Sequence, residues 1–248
     1  MSIHGQKDNA VVVLDHVFTA YEGAEHPTIR DLSLTIKQGE YVIIGGPNGA
    51  GKTTLLETIN GMLPITHGKA TICGMALAGD GVHVRQKVGY LIQNFAFSPL
   101  TPFTVRDVVM MGRYGGLGLF TRPGDADYRA AEEAMKSLGV EDMADIPIGQ
   151  LSGGQQQKVL IAHNLAKNPR VLLLDEPFSN LDLFARERIS HLLESLAKKG
   201  VTIIIVSHAF DDLPDRPIHI LVMKNGTLIH DTTCAPGDVE AQVRKSSA

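Results

Sequence analysis

One run of eight residues, Gly46-Pro47-Asn48-Gly49-Ala50-Gly51-Lys52-Thr53, constrains this chain more than any other part of it. It matches the pattern GxxxxGK[ST]. An apolar stretch, Tyr41–Ile44, precedes it, and a helical run, Thr53–Asn60, follows. The expectation is a buried strand, a tight glycine-rich turn and the first turn of a helix. Glycines let the backbone curl its N–H groups inward, where they surround the β- and γ-phosphates of a nucleotide. The helix start adds the positive end of its dipole. Lys52 adds a full positive charge, the Thr53 hydroxyl can ligate Mg²⁺, and Thr54 continues the cradle.

Around this turn, short apolar runs alternate with helical patterns, which indicates α/β architecture. Strands are expected at Val11–Val17, Leu32–Ile36, Tyr41–Ile44, Lys69–Ile72, Val88–Ile92, Val171–Leu174, Val201–Val206, Ile218–Met223 and Thr227–His230. Tyr41–Ile44, Val171–Leu174 and Val201–Val206 are apolar almost throughout, as central parallel strands buried on both faces are. Asn225-Gly226, between two apolar runs, is a hairpin signal. The stretch 95–168 carries helical patterns at Val105–Met111, Ala126–Leu138 and Gln156–Asn168 and no convincing strand. It reads as a helical subdomain inserted into a sheet core of residues 10–94 and 169–232, within one domain spanning 10–236. Residues 237–248 read as a loosely held polar tail.

Two acids, Asp175 and Glu176, close the apolar strand Val171–Leu174, at the sheet edge where open α/β folds bind ligands. Asp175 can hold Mg²⁺ through a water. Glu176 can act as general base on the water that attacks a γ-phosphate.

Bulk properties narrow the setting. The 23 basic residues are outnumbered by 27 acidic ones and form no long basic block, so no nucleic-acid partner is expected. Cys73 and Cys234 form no CxxC pair, which fits a reducing cytoplasm. Met1–Asp8 is polar and lacks the apolar core of a secretory signal. The longest apolar run, Val201–Val206, falls far short of the ~20 residues that span a bilayer. Any membrane role is expected from the cytoplasmic side.

Further motifs identify a resemblance. Leu151-Ser152-Gly153-Gly154-Gln155 resembles the signature motif of ABC (ATP-binding cassette) ATPases, ahead of Asp175-Glu176 by the family's interval. Ser179-Asn180-Leu181-Asp182 resembles the D-loop, Val206-Ser207-His208 the switch histidine, and Gln93 the Q-loop glutamine. Tyr21 stands where the family carries an aromatic residue that stacks on adenine. The resemblance runs from about Val11 to Ile229 and implies a P-loop NTPase (RecA-like) core with an antiparallel β subdomain and an α-helical subdomain.

It also implies a mechanism. Two copies close on two ATP molecules, and Ser152, Gly153, Gly154 and Gln155 of one copy face the nucleotide in the other copy's P-loop. Glu176, His208 and Gln93 then act in hydrolysis, with Mg²⁺ near Thr53, Gln93 and Asp175, and Asp182 bridges the copies. A membrane permease and, indirectly, an external substrate-binding protein are the implied partners, with the chain peripheral on the inner membrane face.

The run Thr104-Val105-Arg106-Asp107-Val108-Val109-Met110-Met111-Gly112-Arg113-Tyr114, continuing through Gly115-Gly116-Leu117-Gly118-Leu119-Phe120, resembles importers of zinc, manganese or iron. Importers of ferric siderophores, haem or cobalamin share its Met-Gly-Arg-Tyr part and stand as the alternative. A soluble, non-transport ABC ATPase is a further alternative. A permease docking patch is expected at Phe95, Phe97, Pro99, Leu100, Pro102, Phe103 and Phe120. The ten histidines form no HxxxH or clustered ligand set, so the cargo metal is not expected to bind this chain. Lys158 stands where the family more often has Arg, and His163-Asn164 where it has Arg-Ala. The helix after His208 is expected to be about one turn short.

Overall fold

The computed structural model describes residues 9–93, 97–117, 121–179, 181–207, 210 and 213–247. In chain order the strands are β1 (Ala10–Thr19), β2 (Ile29–Lys37), β3 (Tyr41–Gly45), β4 (Ile65–Ile72), β5 (Met75–Ala76), β6 (Val88–Leu91), β7 (Val171–Asp175), β8 (Thr202–Val206), β9 (Ile218–Lys224) and β10 (Thr227–Cys234). The helices are α1 (Lys52–Ile59), α2 (Leu77–Lys87), α3 (Val105–Tyr114), α4 (Asp125–Leu138), α5 (Gly153–Ala166), α6 (Leu183–Lys198) and α7 (Val239–Ser247). Backbone angles at Ala78, Gly79 and Asp80 break the start of α2.

Among the described residues, six strands form the main sheet in the order β10-β9-β3-β8-β7-β6. The β6, β7, β8, β3 and β9 pairings are parallel, and β10 closes the edge antiparallel. β3, β7 and β8 are buried at every residue. Their side chains alternate between two cores because successive residues of a strand point to opposite faces. Ile43, Leu172, Leu174, Ile203 and Ile205 join the core shared with α3, α4, α5 and α6. Val42, Ile44, Val171, Leu173, Ile204 and Val206 join the core shared with α1 and the second sheet. That sheet, ordered β2-β1-β4-β5, is wholly antiparallel.

Between β6 and β7, the described residues form α3, α4 and α5 with two short 3₁₀ turns, and a single bridge between Thr104 and Pro147. α3 starts on a capping box, with the Thr104 hydroxyl accepting from the Asp107 N–H and Asp107 accepting from the Thr104 N–H. Gly112 sits in α3 where a Cβ would lie 2.1 Å from the His163 carbonyl oxygen of α5. Glycine there lets the two helices meet backbone to backbone, a packing reason for the glycine of Met-Gly-Arg-Tyr.

The polar tail expected at 237–248 differs in the structure. Residues Val239–Ser247 form α7, and Val239 and Val243 are buried in the main core. Val243 lies over Gly45, where a Cβ would come within 2.6 Å of its Cγ1. Only two apolar side chains on one face hold this helix, too sparse a periodicity to stand out in a polar sequence. After β8, the described residues 213–217 are not helical.

Candidate functional site

β3 delivers the glycine-rich turn to the C-terminal edge of the main sheet. Gly46 has φ +130°, and a Cβ there would lie 2.2 Å from the Met223 carbonyl oxygen of β9, so glycine is required on both counts. The turn is tied down from outside as well. The Gly226 N–H of the β9–β10 hairpin donates to the Ala50 carbonyl at 3.0 Å, and the Arg30 N–H donates to the Gly226 carbonyl at 2.9 Å. Asn225 and Gly226 both have positive φ, as a type I′ turn demands.

The start of α1 carries no side-chain cap and no acidic residue in its first turn. Its leading N–H groups are therefore left for an anion. Lys52 is buried, and its Nζ donates to the carbonyls of Gly46 at 2.8 Å and Pro47 at 2.9 Å. Burial pushes the Lys52 ammonium below its ordinary pKa, while Glu176 and Asp175 pull it back up. The Thr53 hydroxyl donates to Asp175 Oδ2 at 2.6 Å. Burial raises the Asp175 pKa; the Thr53 bond opposes this, and the Glu176 charge adds to it. A hydroxyl and a buried carboxylate meeting beside a phosphate cradle form an oxygen donor set suited to a hard cation such as Mg²⁺.

Glu176 follows in the left-handed region at φ 50°, its N–H bonded to the Val206 carbonyl at 3.0 Å. Such a conformation costs a non-glycine residue about 1 kcal/mol or more. It turns the chain sharply off the end of β7. Lys52, Thr53, Thr54, Asn48, Gly49, Gly51, Gln93, Asp175 and Glu176 thereby line one cavity of about 540 Å³. Gly46 and Pro47 hold the loop through their carbonyls to Lys52, and Ala50 through its carbonyl to Gly226. Two further wall residues are Val206, the first of the switch-histidine run, and Thr28, which belongs to no motif and left no signal in the sequence. His208 lies outside the described residues.

The second group of expected residues lies elsewhere. Ser152 is the N-cap of α5, its hydroxyl accepting from the Gln155 N–H at 3.4 Å while Gln155 Oε1 accepts from the Ser152 N–H at 2.9 Å. Ser152, Gly153, Gly154, Gln155 and Asp182 line a separate cavity of about 670 Å³. Lys158 joins them there. Asp182 caps α6, accepting from the Ala185 N–H at 2.8 Å. Within one chain, then, the uncapped start of α1 and the Ser152-capped start of α5 open into different cavities.

Tyr21 sits in neither cavity lining. Its hydroxyl donates to Glu57 Oε2 at 2.6 Å and lies 3.2 Å from Thr54 Oγ1, on the flank of α1. Glu57 was not among the residues singled out in the sequence. It stands one helical turn beyond Thr53, and no motif marks it.

A glycine cradle, an uncapped helix start and a Thr–Asp pair at the edge of a parallel sheet define a nucleotide-binding cassette. The family model for ABC transporters matches residues 29–179. The chain belongs to the ABC transporter family and is an ATP-hydrolysing cassette of it. It is 40% identical over 204 residues to the manganese transport system ATP-binding protein MntB of Bacillus subtilis, covering 82% of this chain and 79% of that one. It is 38% identical to the zinc transport system ATP-binding protein TroB of Treponema pallidum, covering 79% of this chain and 72% of that one. Among solved structures, it resembles the dimeric post-hydrolysis state of the ATP-binding cassette MJ0796 bound to ADP and Pi. The TM-score is 0.77 at 30% identity, over 89% of this chain and 97% of the other.

Proposed function

We propose that this chain is the ATPase subunit of an importer for a transition-metal ion, manganese or zinc foremost. It would work as a pair of copies that close on ATP and drive a membrane permease from the cytoplasmic face. The observation that carries the pairing is the separation of the α1 and α5 helix starts into different cavities. The Ser152–Gln155 helix start would meet the nucleotide held in the cradle of a second copy facing it. Leu183 and Phe184, 68% and 82% exposed beside Asp182, add apolar surface at that seam.

Within each site, the cradle from Gly46 to Thr54 would hold the phosphates and Tyr21 the adenine. Thr53, Asp175 and Gln93 would hold Mg²⁺, which supplies neutralisation of the phosphate charge. Glu176 would take the proton of the attacking water, and His208 would hold that water in line. The MntB and TroB relatives support manganese or zinc as the cargo.

For the permease, the aromatic patch expected around Phe95–Phe120 divides. Phe103 and Leu100 are exposed, Phe97 packs against the core, and Phe95 and Phe120 lie outside the described residues. A groove of about 440 Å³ between α2 and the α3–α5 pair offers an alternative footing. Val82, Met111 and Leu117 give it apolar walls, and Arg85, Lys87 and Lys167 a basic rim. This composition supports docking of a short permease helix. An external binding protein would deliver the metal on the far side of the membrane.

The experiment is reconstitution of the chain with its permease in vesicles. ATP turnover stimulated by a manganese- or zinc-loaded binding protein is expected. Turnover that ignores the metal-loaded protein, or a chain that never pairs in ATP, would overturn the reading.

A further inference from the structure

Tyr21 is anchored through its hydroxyl, and the anchor has a fixed direction. Glu57, when ionised, can only accept, so the single phenolic hydrogen goes to Glu57 Oε2 at 2.6 Å. The phenolic oxygen is then left to accept from the Thr54 hydroxyl at 3.2 Å. Thr54 is buried and belongs to the phosphate cavity wall. A directed chain, Thr54 to Tyr21 to Glu57, therefore runs from the phosphate cradle out along α1. A carboxylate acceptor makes its last link the stronger one.

The neighbourhood leaves Glu57 to this task. Burial pushes up the pKa of the Tyr90 phenol of β6, and the nearby charges of Asp175 and Glu57 add to the shift. Yet the Tyr90 hydroxyl is buried and makes no hydrogen bond among the described residues. The side-chain donor that Glu57 is seen to accept is Tyr21, 36 residues away in sequence. Tyr21 remains 42% exposed while its hydroxyl is tethered, so the side chain is held in place without being fully covered.

We propose that Glu57 is a positioning residue for nucleotide binding. It locks Tyr21 beside the phosphate cradle so that the ring is already oriented when the nucleobase arrives. This rests on the reading that Tyr21 stacks on adenine. Holding a binding ring in its bound orientation removes the ordering cost that binding otherwise carries.

The test compares four variants, Glu57→Ala, Glu57→Gln, Tyr21→Phe and Tyr21→Ala, by calorimetric binding of ATP and of inorganic tripolyphosphate, which has no base. Glu57→Ala and Tyr21→Phe are each expected to weaken ATP binding by on the order of three- to tenfold, as for loss of one charge-assisted hydrogen bond at a partly exposed site. A fifth variant combining Glu57→Ala with Tyr21→Phe should bind no more weakly than either of those two alone. Glu57→Gln, which keeps an acceptor, should recover most of the affinity. Tripolyphosphate affinity should be unchanged in all of them, and in steady-state turnover the change should fall on KM.

Should Tyr21→Ala weaken ATP binding while Glu57→Ala does not, the positioning role is overturned and the stacking reading stands. Should Tyr21→Ala leave ATP binding intact, the stacking reading itself fails. Equal loss of ATP and tripolyphosphate affinity in Glu57→Ala would mark Glu57 as a structural support of α1 and overturn the proposal.

Discussion

The Thr53 hydroxyl meets Asp175 Oδ2 at 2.6 Å across 122 residues of chain. This bond ties the start of α1 to the end of β7, and so joins the phosphate cradle to the acidic pair. It fixes where a cation, a phosphate and the Glu176 carboxylate can meet, and the consequences can be tested one residue at a time.

Glu176 leaves β7 with a positive φ and shares a cavity with Lys52, Thr53 and Asp175. Glu176→Gln keeps the shape and removes the carboxylate proposed as the base. Turnover should fall by about 10²- to 10⁴-fold, the usual worth of a general base, while ATP still binds. Size-exclusion chromatography with ATP should show a persistent dimer. Wild-type turnover in the variant would remove Glu176 from that role.

Lys52 has a double task, since its ammonium is the charge of the cradle and also a donor to two carbonyls of the loop. Lys52→Ala should abolish measurable ATP binding. Gly46→Ala should do the same without touching any charge, because its methyl would meet the Met223 carbonyl oxygen at 2.2 Å. Fluorescent-nucleotide titration reads both. Retained affinity in Gly46→Ala would mean that the loop tolerates a shift away from β9.

A third test concerns stability and pH. His219 is buried in β9, with Nδ1 2.9 Å from Glu40 Oε2 and Nε2 2.7 Å from Asp231 Oδ1. Burial alone would lower its pKa, but hydrogen bonds to Asp231 and Glu40 outweigh it, and the group is pushed up to about 9. A pKa raised on folding stabilises the native state fully below the unfolded value near 6.5. That contribution is lost as pH rises through about 9. The partner Glu40 is shifted the other way: burial raises it, but its bonds to His219 and the Lys37 N–H leave it below the ordinary value. Its share is present above the unfolded value and is lost as pH falls through the depressed one. His219→Gln should cost roughly 2–3 kcal/mol at pH 7, and the gap to wild type should close between pH 7 and 10. Urea unfolding across that range measures it; a constant gap would exclude a charged His219.

α7 is held by Val239 and Val243, and Val243 covers Gly45 directly before the cradle. Val243→Asp should unseat the helix and lower stability by about 2–4 kcal/mol, the range for burying an unpaired charge or abandoning a core contact. Thermal unfolding checks it, and an unchanged midpoint would return these residues to the status of a tail.

Much of the fold was legible because its central strands are short, wholly apolar and punctuated by motif residues. Tyr41–Ile44, Val171–Leu174 and Val201–Val206 announce buried parallel strands from composition alone. Their observed bounds differ by a residue at most. Asn225-Gly226 announces its hairpin equally well, yet nothing local says that Gly226 also holds Ala50 of the cradle. Asp175 and Glu176 stood out in the sequence because they close an apolar strand, and Gln93 only through its likeness to the Q-loop; the fold brings all three to one cavity. α7 was not readable, since two valines in a polar segment make no stripe.

Residue order alone pointed to the chemistry, because backbone curl, helix start, lysine and paired acids are properties of neighbours along the chain. The linear string could not state that Glu57 receives the Tyr21 hydroxyl, that His219 is clasped by two carboxylates, or that Ser152 and Lys52 line different cavities. Those are relations between distant residues, and they exist only once burial and strand pairing bring separate segments within a few ångströms of one another.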